Sequence, residues 1–175
     1  MQLTPVTQKF VLHWGEMGAR WGINRTIAQI HALLYIAPKA LNAEEISQTL
    51  AVARSNVSTS LRELQGWGII RVVHVLGDRR DHFESMKDVW EMFQVVLDQR
   101  KKREIDPTIA ILRDCIAEAE QTGEPEETRK RLGALLDFFQ TMTGWYEQIR
   151  QLPTGAMLKF VKLGGKVRKL LGLAS

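Results

Sequence analysis

The chain has little of what marks disulfide-stabilised or membrane proteins in sequence. Cys115 is the only cysteine, so an intramolecular disulfide is excluded and a reducing cytoplasm is expected. No stretch approaches the ~20 consecutive apolar residues that a membrane span needs, and no charged-then-apolar signal opens the sequence. We therefore expect a cytoplasmic protein without stable membrane insertion.

Signatures of catalysis and of cofactor binding are also absent. The four histidines, at positions 13, 31, 74 and 82, show no close metal-ligand spacing. The sequence has no phosphate-binding loop, no GxSxG motif and no dinucleotide-binding fingerprint. We predict a protein that is not an enzyme and that uses neither a metal nor another cofactor.

Charge is distributed unevenly along the 175 residues, whose formal net charge is +4. Residues 1–87 carry a net charge of +3, residues 88–152 a net charge of −4, and residues 153–175 a net charge of +5. A basic surface favours nucleic acid, which is polyanionic. The first part of the chain is therefore a better DNA surface than the acidic middle.

Residues 41–84 have the pattern of a winged helix-turn-helix. Asn42 is a good N-cap for a short helix over residues 43–50. After a tight turn, a second helix over residues 54–66 is apolar on one face and rich in Ser, Asn, Thr and Arg on the other. A β-branched strand, a turn at residues 77–80 and a returning strand predict a two-stranded wing.

The second helix and the wing are predicted to contact DNA. A helix in the major groove must pack with one face and offer hydrogen-bonding side chains to base edges with the other. Arginines at a hairpin tip suit the negative potential of a narrow minor groove. The predicted DNA-binding residues are Arg54, Ser55, Asn56, Ser58, Thr59, Arg62, Arg71, Arg79 and Arg80.

Simpler interpretations of the same residues remain open at this point. The polar face of the second helix could be an ordinary solvated surface, and the wing charges could serve only to protect a sheet edge. Asp78 and Asp81 flank the two tip arginines, and they could either order the tip or weaken its positive field.

Amphipathic helices are predicted on both sides of this segment, over residues 5–18, 25–37, 87–104, 107–121 and 126–151. Their apolar faces exceed what a small winged domain can cover, so we expect two copies to pair across a two-fold axis. The predicted fold is mainly α, an α+β winged helix. Residues 22–86 form the DNA-binding domain, and residues 1–21 and 87–175 form a helical dimerisation region. An intramolecular bundle in a monomer is the alternative.

Three smaller features have more than one interpretation. The basic run at residues 100–103 is expected to be the solvated end of a helix, with phosphate binding as the alternative. The basic segment 157–173 is expected to pack on the dimer, with a membrane surface as the alternative. Cys115 lies among apolar residues and is expected to be a buried, inert thiol, with a redox sensor as the alternative.

Aromatic residues outside the predicted reader are candidates for a small-molecule pocket. Aromatic ring faces attract quaternary ammonium ions, which would fit a choline-like effector. Packing in the core is the alternative role of any buried aromatic side chain. The candidate effector residues are Trp14, Trp21, Trp90 and Phe93.

Several motifs together resemble the MarR superfamily of winged-helix regulators, and more closely its GbsR-like branch. They are SNVSxxLRELQxWGIIRxV at residues 55–73, the wing GDRRDHFE, VWEMF at residues 89–93, and RKKREIDPT at residues 100–108. One departure is Ala53, where relatives often have a serine that caps the reading helix. Ser55 could cap a helix that starts slightly later.

The resemblance implies a homodimer that controls transcription, usually as a repressor, in response to a small molecule. In some members of the branch the theme is choline and glycine betaine metabolism, so a choline- or betaine-like osmolyte is one candidate effector. The predicted partner is double-stranded DNA with an inverted-repeat operator. The alternative function is a winged-helix protein-interaction module without sequence-specific DNA binding.

Overall fold

The computed structural model describes residues 2–153, 155, 156 and 159. The chain divides into two compact units between Val96 and Leu97. Almost all of the basic segment predicted over residues 157–173 lies outside the described residues. None of the described helices combines the length and apolar character of a membrane span.

The first unit is a winged helix with a small antiparallel sheet. Its strands are ordered β1-β3-β2, so a third strand joins the predicted two-stranded wing. Leu41 pairs with Phe83 and Val72 with Phe83 on its other side, which places β3 in the centre. The mainly helical winged fold is confirmed. Its elements are α1 Pro5–Arg20, α2 Arg25–Ile36, β1 Leu41–Asn42, α3 Ala43–Leu50, α4 Arg54–Trp67, β2 Ile70–Val73, β3 His82–Ser85 and the start of α5 Val89–Arg100.

Local capping signals set the ends of the helix-turn-helix. The Asn42 side chain accepts a hydrogen bond from the Glu45 amide at 3.0 Å, and the Glu45 carboxylate accepts one from the Asn42 amide at 2.9 Å. This reciprocal capping box satisfies two amides at the start of α3. Helix α4 begins at Arg54 with Ala53 in the cap position and no side-chain cap, and it ends at Gly68, whose φ is 78°. The possible later start capped by Ser55 is not adopted.

Helix α2 is the centre of the hydrophobic core. Ile30, Leu33 and Leu34 are fully buried on it, and they pack with fully buried residues of α3 and α4, among them Ile46 and Leu64. Each such side chain contributes roughly 1.5–3 kcal/mol to stability when it leaves water. Burial of α2 therefore holds α4 and the sheet in fixed positions.

Helix α1 packs through a different face from the one its large apolar residues predict. Val6 is exposed, and the buried positions are Val11, Gly15 and Gly18. A Cβ atom at Gly18 would lie 2.5 Å from the Cβ atom of Ala28 on α2. The glycines therefore allow α1 to approach α2 more closely than a side chain would permit.

The second unit is helical throughout its described part. The end of α5 continues into a π-helical segment, Lys101–Ile105, which is followed by α6 Asp106–Thr122 and α7 Glu126–Arg150. The predicted break between residues 104 and 107 is absent. The Asp106 amide bonds to the Lys101 carbonyl five residues back, and this wider turn accommodates Pro107 without ending the helix.

Cys115 does not have the environment that we expected. Ile109, Leu112 and Ala119 form the buried stripe of α6, and Cys115 lies beside this stripe and is exposed. The prediction of a buried thiol is therefore wrong for the chain as described. The neighbouring apolar residues in sequence did not indicate burial, because only one face of α6 is covered.

Replacing Gly18 with Ala tests the close contact of α1 with α2. We expect Gly18→Ala to lower the free energy of unfolding by about 1–3 kcal/mol, because the new methyl group meets Ala28 and cannot rotate away. Gly66→Ala is the matched control, because nothing lies within 4 Å of its Cβ position in α4. It should raise stability by about 0.5–1 kcal/mol. Urea unfolding at one protein concentration measures both, and equal effects would contradict the packing described.

Candidate nucleic-acid interface and apolar cavity

The outer face of α4 carries hydrogen-bonding side chains that the fold does not use. Ser55, Asn56 and Ser58 are exposed, and their side chains bond to no other described residue. Arg62 is also exposed and donates only a long hydrogen bond, 3.4 Å, to the Thr59 hydroxyl. The opposite face buries Val57, Ser60, Leu61 and Leu64, so the helix is anchored while this outer face stays available.

Two of the predicted DNA-binding arginines are paired with acidic side chains. Arg54 Nη1 lies 3.2 Å from Glu44 Oε2 on α3, and Arg71 pairs with Glu84 across the wing strands. Exposed ion pairs of this kind contribute about 0–1 kcal/mol. A phosphate group could therefore replace either carboxylate at little cost.

Asp78 orders the wing tip. Its carboxylate accepts hydrogen bonds from the Arg80 amide at 3.0 Å and from Arg80 Nε and Nη2 at 2.9 and 2.6 Å. These bonds hold the pKa of Asp78 well below its usual range. His82 Nε2 lies 3.5 Å from the same carboxylate. Arg80 is thus turned back onto the tip, whereas the exposed Arg79 side chain has no partner among the described residues.

A polar groove of about 350 Å³ lies between α4, α3 and the wing. It brings together four of the predicted DNA-binding residues, and it also includes acidic groups that the prediction did not place there. Arg71 is not among its lining residues. The charged and hydroxyl-bearing lining residues are Glu44, Arg54, Ser58, Arg62, Arg80 and Asp81.

An apolar cavity of about 260 Å³ lies within the first unit. Trp14, Trp21 and Phe93 line it, which brings together three of the four predicted effector residues. Trp90 is not among the lining residues, and its ring packs edge-to-face against Phe93 at a centroid distance of 6.4 Å. Sequence reasoning missed other lining residues, notably Met17, His31, Leu64, Trp67 and Met92.

His31 is the lining residue with the most unusual environment. Its side chain is 6% exposed, and its Nε2 atom has no hydrogen-bond partner. Burial, together with the nearby charge of Lys87, lowers the pKa of His31 to about 4. The imidazole is therefore neutral near pH 7. A buried polar atom without a partner is rare in folded proteins. The available signal in the sequence was a histidine at helical spacing among the apolar residues of α2.

The second unit uses its charged residues in a network of ion pairs. Lys101 Nζ lies 2.8 Å from Asp106 Oδ1 and 3.5 Å from Glu147 Oε1. Asp98 accepts a hydrogen bond from the Tyr146 hydroxyl at 2.7 Å and pairs with Arg150 at 2.9 Å. Salt bridging by the basic run is confirmed at Lys101. The run is not a helix end, because the π-helical segment continues from it.

Comparison with known proteins identifies the family of the winged helix. The family model of the MarR family matches residues 21–81. This part of the chain belongs to the MarR family. The transcriptional repressor GbsR of Bacillus subtilis (strain 168) is 19% identical over 154 residues, covering 83% of this chain and 85% of that protein. The resemblance to GbsR-like MarR proteins is confirmed.

A solved structure supports the same fold over most of the chain. The crystal structure of a transcriptional regulator aligns with a TM-score of 0.65 and 21% identity, and it covers 83% of this chain and 96% of that one. The MarR family consists of transcriptional regulators, which confirms the prediction that the chain is not an enzyme. In this MarR-type domain, α3 and α4 are the helix-turn-helix and β2 and β3 form the wing.

The buried imidazole predicts a pH-dependent stability. Because the pKa of His31 is about 4 in the folded chain and about 6.5 when unfolded, the unfolded chain binds the proton first as pH falls. The stabilisation is complete above pH 6.5 and is lost progressively towards pH 4, by roughly 3 kcal/mol in total. We expect His31→Leu to remove this part of the pH dependence. Urea unfolding at pH 7 and pH 4.5 measures it, and an equal loss in both proteins would contradict the assignment.

Proposed function

We propose that the protein is a homodimeric transcriptional repressor that binds an inverted-repeat operator in double-stranded DNA and responds to a small molecule. The observation that carries the proposal is the unused polar face of α4 beside a wing tip with an outward arginine. The match of residues 21–81 to the MarR family supports it, as does the similarity to a protein named as a repressor. Such a protein works on DNA in the cytoplasm.

Helix α4 is the proposed major-groove element. Ser55, Asn56 and Arg62 lie on its exposed face, where an asparagine can pair with adenine and an arginine with guanine. Ser58 and Thr59 can reach base edges or phosphates. Arg54 and Arg71 would exchange their carboxylate partners for phosphates.

The wing is the proposed minor-groove element, and its two arginines have different roles. Arg79 is available to enter the groove, where the negative potential is concentrated. Arg80 is held by Asp78, so it supports the tip and adds its charge at the edge of the groove. This division of roles makes the two positions experimentally separable.

We propose that two copies pair through the terminal helices. Residues 22–86 would bind DNA, and residues 1–21 and 87–175 would supply the dimer interface. Helix α7 supports this assignment, because none of its residues is buried although Leu135, Phe138, Met142 and Trp145 are large and apolar. A two-fold dimer would place two reading helices one turn of DNA apart, as an inverted repeat requires.

The apolar cavity is the proposed effector site. Trp14, Trp21 and Phe93 form walls, and Trp90 supports Phe93 from outside the lining. Leu64 and Trp67 of the reading helix also line the cavity, so a bound molecule would contact α4 directly. A choline- or betaine-like osmolyte is one candidate, since aromatic faces bind quaternary ammonium ions.

Operator binding can test the two arms of this proposal. DNA would be selected from genomic fragments with the full-length protein, and affinities would be measured by fluorescence anisotropy over a series of salt concentrations. We expect Arg62→Ala to weaken binding about tenfold or more through a lost base contact. Arg79→Ala should weaken binding and reduce the salt slope by about 1, because one phosphate-proximal charge is lost. Arg80→Ala should weaken binding with a smaller change in slope.

Lys102→Ala is the control for loss of charge alone, because Lys102 is exposed in the second unit and is not assigned to DNA. It should leave the affinity within about twofold of the wild-type value. Unchanged affinity in both the Arg62 and Arg79 variants would contradict the proposed reading surface. If no sequence is enriched over bulk DNA at physiological salt, the winged helix is a protein-interaction module instead.

A further inference from the structure

The cavity beside α2 has a polar atom that the fold leaves unsatisfied, in a setting that excludes charge. We propose that it binds an uncharged alcohol, with the apolar body against the aromatic walls and the hydroxyl group against Nε2 of His31. The proposed function supplies only the regulatory meaning of this site, because binding to the cavity can be measured without DNA.

The size of the cavity suits a small organic molecule. Its volume is about 260 Å³, and an apolar cavity of about 150 Å³ is already large enough to bind benzene. Trp14, Trp67 and Met92 contribute to the lining. Trp21 is 49% exposed and Phe93 is 45% exposed, so these two rings lie at the edge where a ligand can enter.

The lining disfavours a cation. None of the lining residues is acidic, so a buried cation would lose its water without gaining a carboxylate. The Lys87 ammonium group adds a positive charge close to His31, and it is fixed by hydrogen bonds to the carbonyls of Leu34 at 3.2 Å and Tyr35 at 2.8 Å. Aromatic walls alone would accept a quaternary ammonium ion, but this field opposes one.

The lining also disfavours an anion. A buried carboxylate needs several hydrogen-bond donors or a charged partner within the site. His31 is neutral, and Lys87 is not a lining residue and is already bonded to two carbonyls. An uncharged ligand is therefore the one that fits.

The free ring nitrogen selects the functional group of the ligand. A neutral imidazole has one nitrogen that donates and one that accepts a hydrogen bond, and the tautomer decides which is Nε2. A hydroxyl group can donate to Nε2 or accept from it, so an alcohol satisfies the atom in either tautomer. His31 is thus assigned as the residue that determines specificity.

A matched pair of probes tests the charge argument. Choline and 3,3-dimethylbutan-1-ol have the same shape and the same hydroxyl group, and they differ in the charge of the branched end. The full-length protein without DNA would be titrated with each probe, with tryptophan fluorescence and the shift of the unfolding temperature as readouts. We expect the alcohol to bind at least about tenfold more tightly than choline, because only the cation loses hydration without compensation.

Variants of His31 test the hydrogen bond. His31→Leu should weaken binding of the alcohol about tenfold and leave choline binding unchanged, whereas His31→Gln keeps a polar group and should stay within about threefold of wild type. The hydrocarbon 2,2-dimethylbutane, which lacks the hydroxyl group, should bind wild type and His31→Leu equally. The unfolding temperature of each variant establishes that it is folded, and the wild-type probe comparison stands without any variant.

The inference is overturned if choline binds as tightly as the alcohol, or if neither probe changes the fluorescence or the unfolding temperature. It is also overturned if His31→Leu binds the alcohol as wild type does. Operator affinity is measured separately, so loss of the proposed function and loss of this inference give different results. Probe binding without operator binding would contradict the repressor assignment alone.

Discussion

Burial of helix α2 is the constraint on which the first unit depends. This one helix contacts α1, α3, α4 and the central strand of the sheet. The same helix therefore packs the reading helix in place and supplies His31 to the cavity. A change in the position of α2 would be felt at both places, because close-packed elements shift together and not independently.

The proposed DNA surface combines arginines with acidic neighbours. Glu44, Asp78 and Glu84 each hold an arginine in a defined direction. Such pairs reduce the net positive field, which lowers non-specific attraction to DNA. They also orient side chains before binding, so less conformational freedom remains to be lost at the operator. The surface is built for discrimination more than for raw attraction.

Local chemistry made much of this fold predictable. The capping box at Asn42, the αL turn at Gly68 and the polar face of α4 each depend on residues a few positions apart, so the sequence contains the whole interaction. The packing of α1 was less predictable, because the use of Gly15 and Gly18 depends on which residues of α2 lie opposite. The π-helical segment likewise depends on how the helix accommodates Pro107, where a break was the simpler expectation.

The candidate sites divide in the same way. The DNA-facing residues follow from one amphipathic helix and one turn, whereas the cavity is assembled from α1, α2, α4 and α5. Sequence patterns could identify aromatic side chains, but they could not show that His31 would be left without a partner. That property depends on every atom around the ring and is visible only in three dimensions.

The close approach of α1 to α2 has a consequence for how this sequence can vary. Gly18 and Ala28 share one small volume, so a larger residue at either position must be matched by a smaller one at the other. Over evolutionary time the two positions behave as a single site. Covariation between them across related proteins would therefore record the distance between two helices, independently of anything that the protein binds.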